Sequence, residues 1–335
     1  MKYIISSIFL TLIVFSSCGN HQETSKVKKN TDTSSATLES INERLRDKPG
    51  SADLYEVRAK YYLNSKDPNT ALADINRALK IDSTKAEYYL TLANIYFVIN
   101  KTGGSKAALD KCHRLDPKNQ ECIMKLAELY FYVRKYQESL NYLDEALKLD
   151  QYNAKAYFMK GMNFKESGDT TKALSSMQTA VEQDNNYYNA YMQLALICSA
   201  QHNRLAEDYY ENAIRIQPQS IEALYDFAKL YQDEKNYPKA VELYNKMLLI
   251  DKKNFDAYFN LGVISVNTKA YPDAIRYFST AIGADPKNAR GFYGRGYCYQ
   301  TMGDVQNAAA DYRYTLTLDP NFEPAKLGLK QMKIF

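Results

Sequence analysis

One spacing dominates this chain. From residue 52 onward small residues return every 34 positions: Ala59, Ala93, Ala127, Gly161, Ala195, Ala228, Gly262 and Gly296. A second small column reads Ala71, Ser105, Ser139, Ala173, Ala206, Ala240, Ala274 and Ala308. A third reads Ala78, Cys112, Ala146, Ala180, Ala213, Met247, Ala281 and Thr315. Large residues form columns of their own, among them Tyr55, Tyr89, Ile123, Tyr157, Tyr191, Leu224, Tyr258 and Phe292. Tyrosine is the usual choice there, and the chain holds 30 tyrosines and no tryptophan. A unit of this length cannot bury an apolar stripe alone. Stacked neighbours must build the core together, and the two ends need polar caps.

Within a unit the spacing is helical. Tyr157, Lys160, Gly161 and Phe164 fall at i, i+3, i+4 and i+7, which is one face of a helix. Ala173, Met177 and Ala180 make the opposing stripe of a second helix, and the small residues let the two approach closely. Breakers separate the helices at Gly168-Asp169 and Gly303-Asp304. Units end at Asp116-Pro117, Gln217-Pro218, Asp285-Pro286 and Asp319-Pro320, where proline at the start of a helix costs little. Arg58, Lys160 and Arg295 stand on the apolar stripe, so their stems are expected to cover it while their charges reach water.

This pattern resembles the tetratricopeptide repeat (TPR), a pair of antiparallel helices. The resemblance covers eight units: 52–85, 86–119, 120–153, 154–187, 188–220, 221–254, 255–288 and 289–322. The fifth unit is one residue short, and the deletion is expected in the turn around His202. The implied fold is all-α, a right-handed α-solenoid of about eight TPR helix-turn-helix units with capping helices. The caps are expected at 37–50, where Leu38, Ile41 and Leu45 have helical spacing, and at 323–335.

The N-terminus is a separate object. Lys2 precedes an apolar stretch from Tyr3 to Phe15, too short to span a bilayer. Its length and flanks fit a signal peptide over 1–17. Ser16 and Ser17 then precede Cys18. This resembles the lipobox of bacterial lipoproteins, which implies that Cys18 carries the lipid. Gly19 beside it carries no inner-membrane retention signal, so the resemblance implies an outer-membrane lipoprotein, facing either side. Gly19 to Ala36 is too polar to pack. As a flexible tether it would span roughly 25 Å.

In the TPR family a partner lies in the concave groove lined by first helices. The resemblance places one rung at Leu90, Met124, Phe158, Met192, Tyr225, Phe259 and Tyr293, with Glu56 ahead of them. The next rung reads Lys60, Asn94, Glu128, Met162, Leu196, Lys229, Val263 and Tyr297. Met124, Phe158, Met162, Met192 and Leu196 could form an apolar binding floor, since Met and aromatic residues suit an adaptable groove. They could equally pad the contacts between units. The two-carboxylate clamp of one TPR subfamily needs Lys and Asn on successive rungs of several units, and Asn94 stands alone here.

Other chemistry is sparse. His21, His113 and His202 share no metal-ligand spacing, and Cys112, Cys122, Cys198 and Cys298 form no CxxC pair. Spacing leaves open whether Cys112 and Cys122 are bonded. Formal charge is only +4, with no basic stripe for nucleic acid. The resulting expectation is a non-enzymatic interaction scaffold. It would need no cofactor, metal, nucleic acid or small-molecule substrate, and would bind a peptide, helix or subunit. The alternative is a periplasmic adaptor for cell-wall glycan or a cell-wall enzyme. One stretch resists the pattern. In "RGFYGRGY", residues 290 to 297, Gly296 sits in a small column, but Gly291 and Gly294 do not. Each should cost a helix roughly 1 kcal/mol against Ala. The expectation is a frayed or closely approached helix, with Tyr293 and Tyr297 on its groove side.

Overall fold

The computed structural model describes residues 37–333, so Cys18 and the leader lie outside the described residues. Every regular element among the described residues is an α-helix, and there are eighteen. They divide into two compact units between Ile81 and Asp82.

The first unit holds α1 (Leu38–Asp47), α2 (Ala52–Asn64) and α3 (Pro68–Ile81). Thr37 caps α1 by accepting the Ser40 N–H, and Ile41 and Leu45 are the buried residues of that helix. The second unit continues the pairing. Its pairs are α4 (Ala86–Val98) with α5 (Thr102–Leu115), α6 (Gln120–Tyr132) with α7 (Tyr136–Leu149), and α8 (Ala154–Glu166) with α9 (Thr170–Gln183). Next come α10 (Tyr188–Ala200) with α11 (Leu205–Ile216), and α12 (Ile221–Asp233) with α13 (Tyr237–Ile250). The last pairs are α14 (Phe255–Asn267) with α15 (Tyr271–Ala284), and α16 (Ala289–Thr301) with α17 (Val305–Leu318). The closing helix is α18 (Glu323–Gln331). Within this unit each pair packs on the next in chain order, which is the solenoid arrangement.

Local chemistry sets each boundary. Six of the eight first helices start on Ser51, Asn119, Asn153, Ser220, Asn254 or Asn288, whose side chains accept a backbone N–H of the first turn. They end on a left-handed residue: Lys66, Asn100, Arg134, Gly168, His202, Lys235, Lys269 and Gly303. The residue after each donates back to the carbonyl five positions earlier, as in Asp67 to Tyr62 and Asp169 to Phe164. This is the Schellman closure, for which glycine is the usual residue. Four of the six non-glycine positions carry Lys or Arg, a charge that suits the negative end of the helix dipole. Between units, Asp116, Asp150, Asp184, Asp251, Asp285 and Asp319 each accept the N–H two residues on, which fixes the turn.

The core follows the small columns. Ala93, Ala127, Ala195 and Ala228 are almost fully buried, as are Ala173, Ala206 and Ala240. Where the second column has serine, the hydroxyl donates to the facing helix. Ser105 reaches the Ala93 carbonyl at 3.0 Å and Ser139 the Ala127 carbonyl at 2.9 Å. All four described cysteines are buried free thiols, so Cys112 and Cys122 are not bonded to each other.

Three expectations need correction. The missing residue of the fifth unit falls after His202, which keeps the register of the other turns. It falls in the opening of α11, where Ala206 and Glu207 donate only three residues back, to Asn203 and Arg204. Second, Arg58 and Arg295 do not send their charges to water. Arg58 grips the buried Asp74 at 2.7 and 2.8 Å, and Arg295 grips the buried Asp311 at 2.9 and 2.8 Å. Each also reaches a residue sixteen positions earlier, Asn42 or Ser279. A stem alone on the stripe would leave these aspartates as uncompensated buried charges. Lys160 instead reaches Asp144 at 2.7 Å.

Third, α16 is not frayed through its glycines: they are buried and it runs unbroken from Ala289 to Thr301. A Cβ on Gly294 would stand 2.7 Å from the Phe278 ring, and one on Gly262 would meet the same ring at 2.7 Å. Phe278 of α15 is therefore wedged between two first helices that lack side chains at that level. Gly291 gives way in the same manner to Ile282, at 2.9 Å. Close approach, the other half of the expectation, is what the glycines provide.

Candidate functional site: the accessible face of the first helices

In the second unit, α6 contacts α8, α10 contacts α12, and α14 contacts α16. The faces of these first helices that are not packed on their own second helices therefore adjoin one another. Polar side chains tie neighbours together across this surface. Glu128 of α6 joins Lys155 of α8 at 2.7 Å while also holding Lys125. Lys165 of α8 donates to Gln193 of α10 at 2.7 Å, and Arg290 of α16 meets Asp256 of α14 at 3.3 Å. Burial works against the charge of Glu128, but Lys125 and Lys155 outweigh it and hold the carboxyl below its ordinary range.

The two rungs of the expected groove separate here. On the first, Leu90, Met124, Phe158 and Met192 are buried at 7, 6, 6 and 3% exposure. Phe158 stacks edge-on against Tyr187 at 5.2 Å, and Met192 belongs to the central core. These residues pad the contacts between units, so they cannot serve as an open floor. Tyr225, Phe259 and Tyr293 on the same rung stay half-buried. Tyr293 is shared with Tyr312 and Phe322, at 5.8 and 5.0 Å. Burial, with Tyr297 second, pushes its hydroxyl up from the ordinary tyrosine value.

The second rung is the open one. Asn94, Glu128, Met162, Leu196, Lys229 and Val263 are half-buried, and Tyr297 is 41% exposed. Lys229 is engaged by Asp233 on its own helix at 3.1 Å. The surface thus offers apolar and aromatic contacts through Met162, Leu196, Tyr225, Phe259, Val263 and Tyr297, flanked by charged pairs. Arg290 lies 4.2 Å over the Phe259 ring.

Sequence reasoning missed three features of this surface. Asp226 of α12 has no hydrogen bond or ion pair among the described residues, and burial first, then Glu222, pushes its carboxyl up to about 6. The ends of α4 and α6 carry exposed Phe97, Val98 and Tyr132, where the other units are mostly polar. A concavity of about 450 Å³ lies beside Tyr293, Tyr297, Tyr312 and Leu327. Column comparison signals the second of these, since only units two and three place apolar pairs there. Among the described residues, no group of three or more His, Cys, Asp or Glu could hold a metal ion.

Comparison with known proteins agrees with this architecture. Two tetratricopeptide-repeat family models match, one over residues 199–262 and one over residues 124–188 and 267–321. Together these stretches span more than half of the chain. The C-terminal part of a TPR repeat-containing protein from Cytophaga hutchinsonii has a solved structure with 19% identity and a TM-score of 0.62. That match covers 71% of this chain and 98% of the other. A tetratricopeptide repeat protein from Parabacteroides merdae is 18% identical at a TM-score of 0.49, over 74% of this chain and 98% of that one. YrrB, described as a TPR protein with an unusual peptide-binding site, is 25% identical at a TM-score of 0.44. That match covers 56% of this chain and 96% of YrrB. No curated protein matches the chain. On its repeats and its fold, the chain belongs to the tetratricopeptide-repeat family.

Proposed function

We propose that the chain is a protein-interaction scaffold, held at a bacterial outer membrane by a lipid on Cys18, which takes a peptide, helix or partner subunit on the accessible face of its first helices. The observation that carries this reading is the second rung. There Met162 on α8 and Leu196 on α10 hold matching positions, both partly open, among charges that are mostly paired: Glu128 with Lys125 and Lys155, and Lys229 with Asp233. Such a surface favours an apolar side chain of a partner over an ion. The tether reading is supported by the small pair closing an apolar run directly before Cys18. Assembly of envelope complexes, secretion and pilus biogenesis are the settings such a scaffold suits.

The test uses the two partly open residues. Met162→Glu with Leu196→Glu is expected to abolish crosslinked capture of partners from native envelope, with helicity unchanged by far-UV circular dichroism. Unchanged capture would remove α8 and α10 from the binding surface. Substituting Phe158 or Met192 would not test the idea, because charges there would be buried in the core. For the anchor, radiolabelled fatty acid should enter the native chain and not Cys18→Ala.

A further inference from the structure

The most exposed aromatic cluster on the second unit lies at the lip of the accessible face, where α4 and α6 end. Phe97, Val98, Tyr132 and Val133 are 45, 55, 58 and 39% exposed. The Phe97 and Tyr132 rings meet edge to face at 5.6 Å, so the patch bridges two repeats. The chain's own pattern does not require apolar residues here. The matching positions are Lys165 and Glu166 in the next unit and Gln232 and Asp233 in the sixth. A contiguous apolar patch kept in water is unfavourable unless something covers it.

Charge says what covers it. Lys101 follows α4, and Arg134 and Lys135 follow α6. Lys135 has Glu138 at 3.6 Å, but Lys101 and Arg134 have no carboxylate partner among the described residues. Beside the patch lies a concavity of about 630 Å³, lined by Arg134, Lys135, Tyr136, Phe164 and Lys172. Asp169 neutralises Lys172 at 2.9 Å, and Glu166 bounds the patch toward the fourth repeat. The uncompensated charge is therefore positive. Exposed Phe, Tyr and Val flanked by Lys and Arg have the chemistry of a surface that lies on anionic lipid.

We propose that the edge formed by the ends of α4 and α6 rests on an anionic phospholipid surface. Phe97, Val98, Tyr132 and Val133 enter the interface, and Lys101 and Arg134 meet the headgroups. This rests on the membrane tether proposed above, which would keep the chain beside a bilayer.

The absence of tryptophan makes the test direct. Tyr132→Trp, Phe97→Trp and, as a control, Tyr152→Trp each give a full-length chain with one tryptophan. Tyr152 is 67% exposed in the turn between α7 and α8, away from the helix ends in question. Each variant is reconstituted on phosphatidylglycerol–phosphatidylcholine vesicles with or without brominated acyl chains. The expected result is a fluorescence loss of about twofold at positions 132 and 97, with none at 152. The loss should vanish in Lys101→Glu with Arg134→Glu, and on phosphatidylcholine alone. If the Tyr132→Trp chain floats with the vesicles while its indole stays bright, the docking edge is overturned and the tether still stands. A chain that does not float would overturn both. Shielding of that indole only after envelope protein is added would assign the patch to a protein partner, and the proposal would fall.

Discussion

Asp226 shows how a single position can be read from its surroundings. Its helix buries Leu224 and Phe227 on either side, so the carboxylate is held partly out of water with no cation supplied. Burial first and Glu222 second push it up to about 6. The folded chain therefore keeps a proton that the unfolded chain, near the ordinary value of 3.8, has already lost. Stability should fall as pH rises from about 4 to about 6, and the full penalty should remain above that. Asp226→Asn is expected to raise the melting temperature at pH 7.5, by a gain of ~1–2 kcal/mol once discounted for partial solvent access. At pH 3.5 the gain should disappear. An equal gain at both pH values in thermal melts would show that the effect is not ionisation. Asn163 is a second case. Its amide donates to the Met159 carbonyl, but its own oxygen is buried without a partner, in a column otherwise filled mostly by Ile and Leu.

At the scale of the helix pair, Arg295 with Asp311 does what an apolar contact does in other units. The sixth unit places Phe227 and Leu243 at the matching positions, and the seventh has Leu261 in place of the arginine. Arg58 with Asp74 repeats the substitution in the first unit. The pair ties α16 to α17 by two parallel hydrogen bonds, and hydrogen bonding to Asp311 raises the arginine above its ordinary value. Replacing Arg295 by Leu alone strands a buried aspartate, and should cost ~3–5 kcal/mol. Arg295→Leu with Asp311→Leu should recover most of that loss, because a well-packed apolar pair can match a buried ion pair. Denaturant unfolding of the two single variants and the double variant measures the coupling. Additive losses would mean that the pair carries no interaction of its own.

Over the whole molecule, stability is a chain of neighbour contacts, so damage should stay near its origin. The final helix α18 covers Tyr312, whose ring would clash with a Cβ on Gly328. Truncation after Asp319 is expected to speed hydrogen exchange in α16 and α17 while leaving α8 and α9 unchanged. Uniform acceleration throughout residues 82–319 would indicate one cooperative block instead.

The eight helix pairs, their turns and both caps were legible in the sequence, because small and large residues recur at fixed columns and breakers punctuate them. The i, i+16 pairing of Arg58 with Asp74 and Arg295 with Asp311 was legible too, had the charged exceptions been compared across columns. The groove was legible only in part. Periodicity marks which residues share a helix face, but not how far a neighbouring helix covers that face. Leu90, Met124, Phe158 and Met192 were therefore indistinguishable by spacing from residues that stay open, and only packing buried them. The glycines of "RGFYGRGY" show the same division. Sequence alone determined that α16 is a helix in the eighth repeat. Tertiary structure decided that its glycines are seats for Phe278, Ile282 and Tyr312, because the closeness of two helices depends on side chains far apart in the chain.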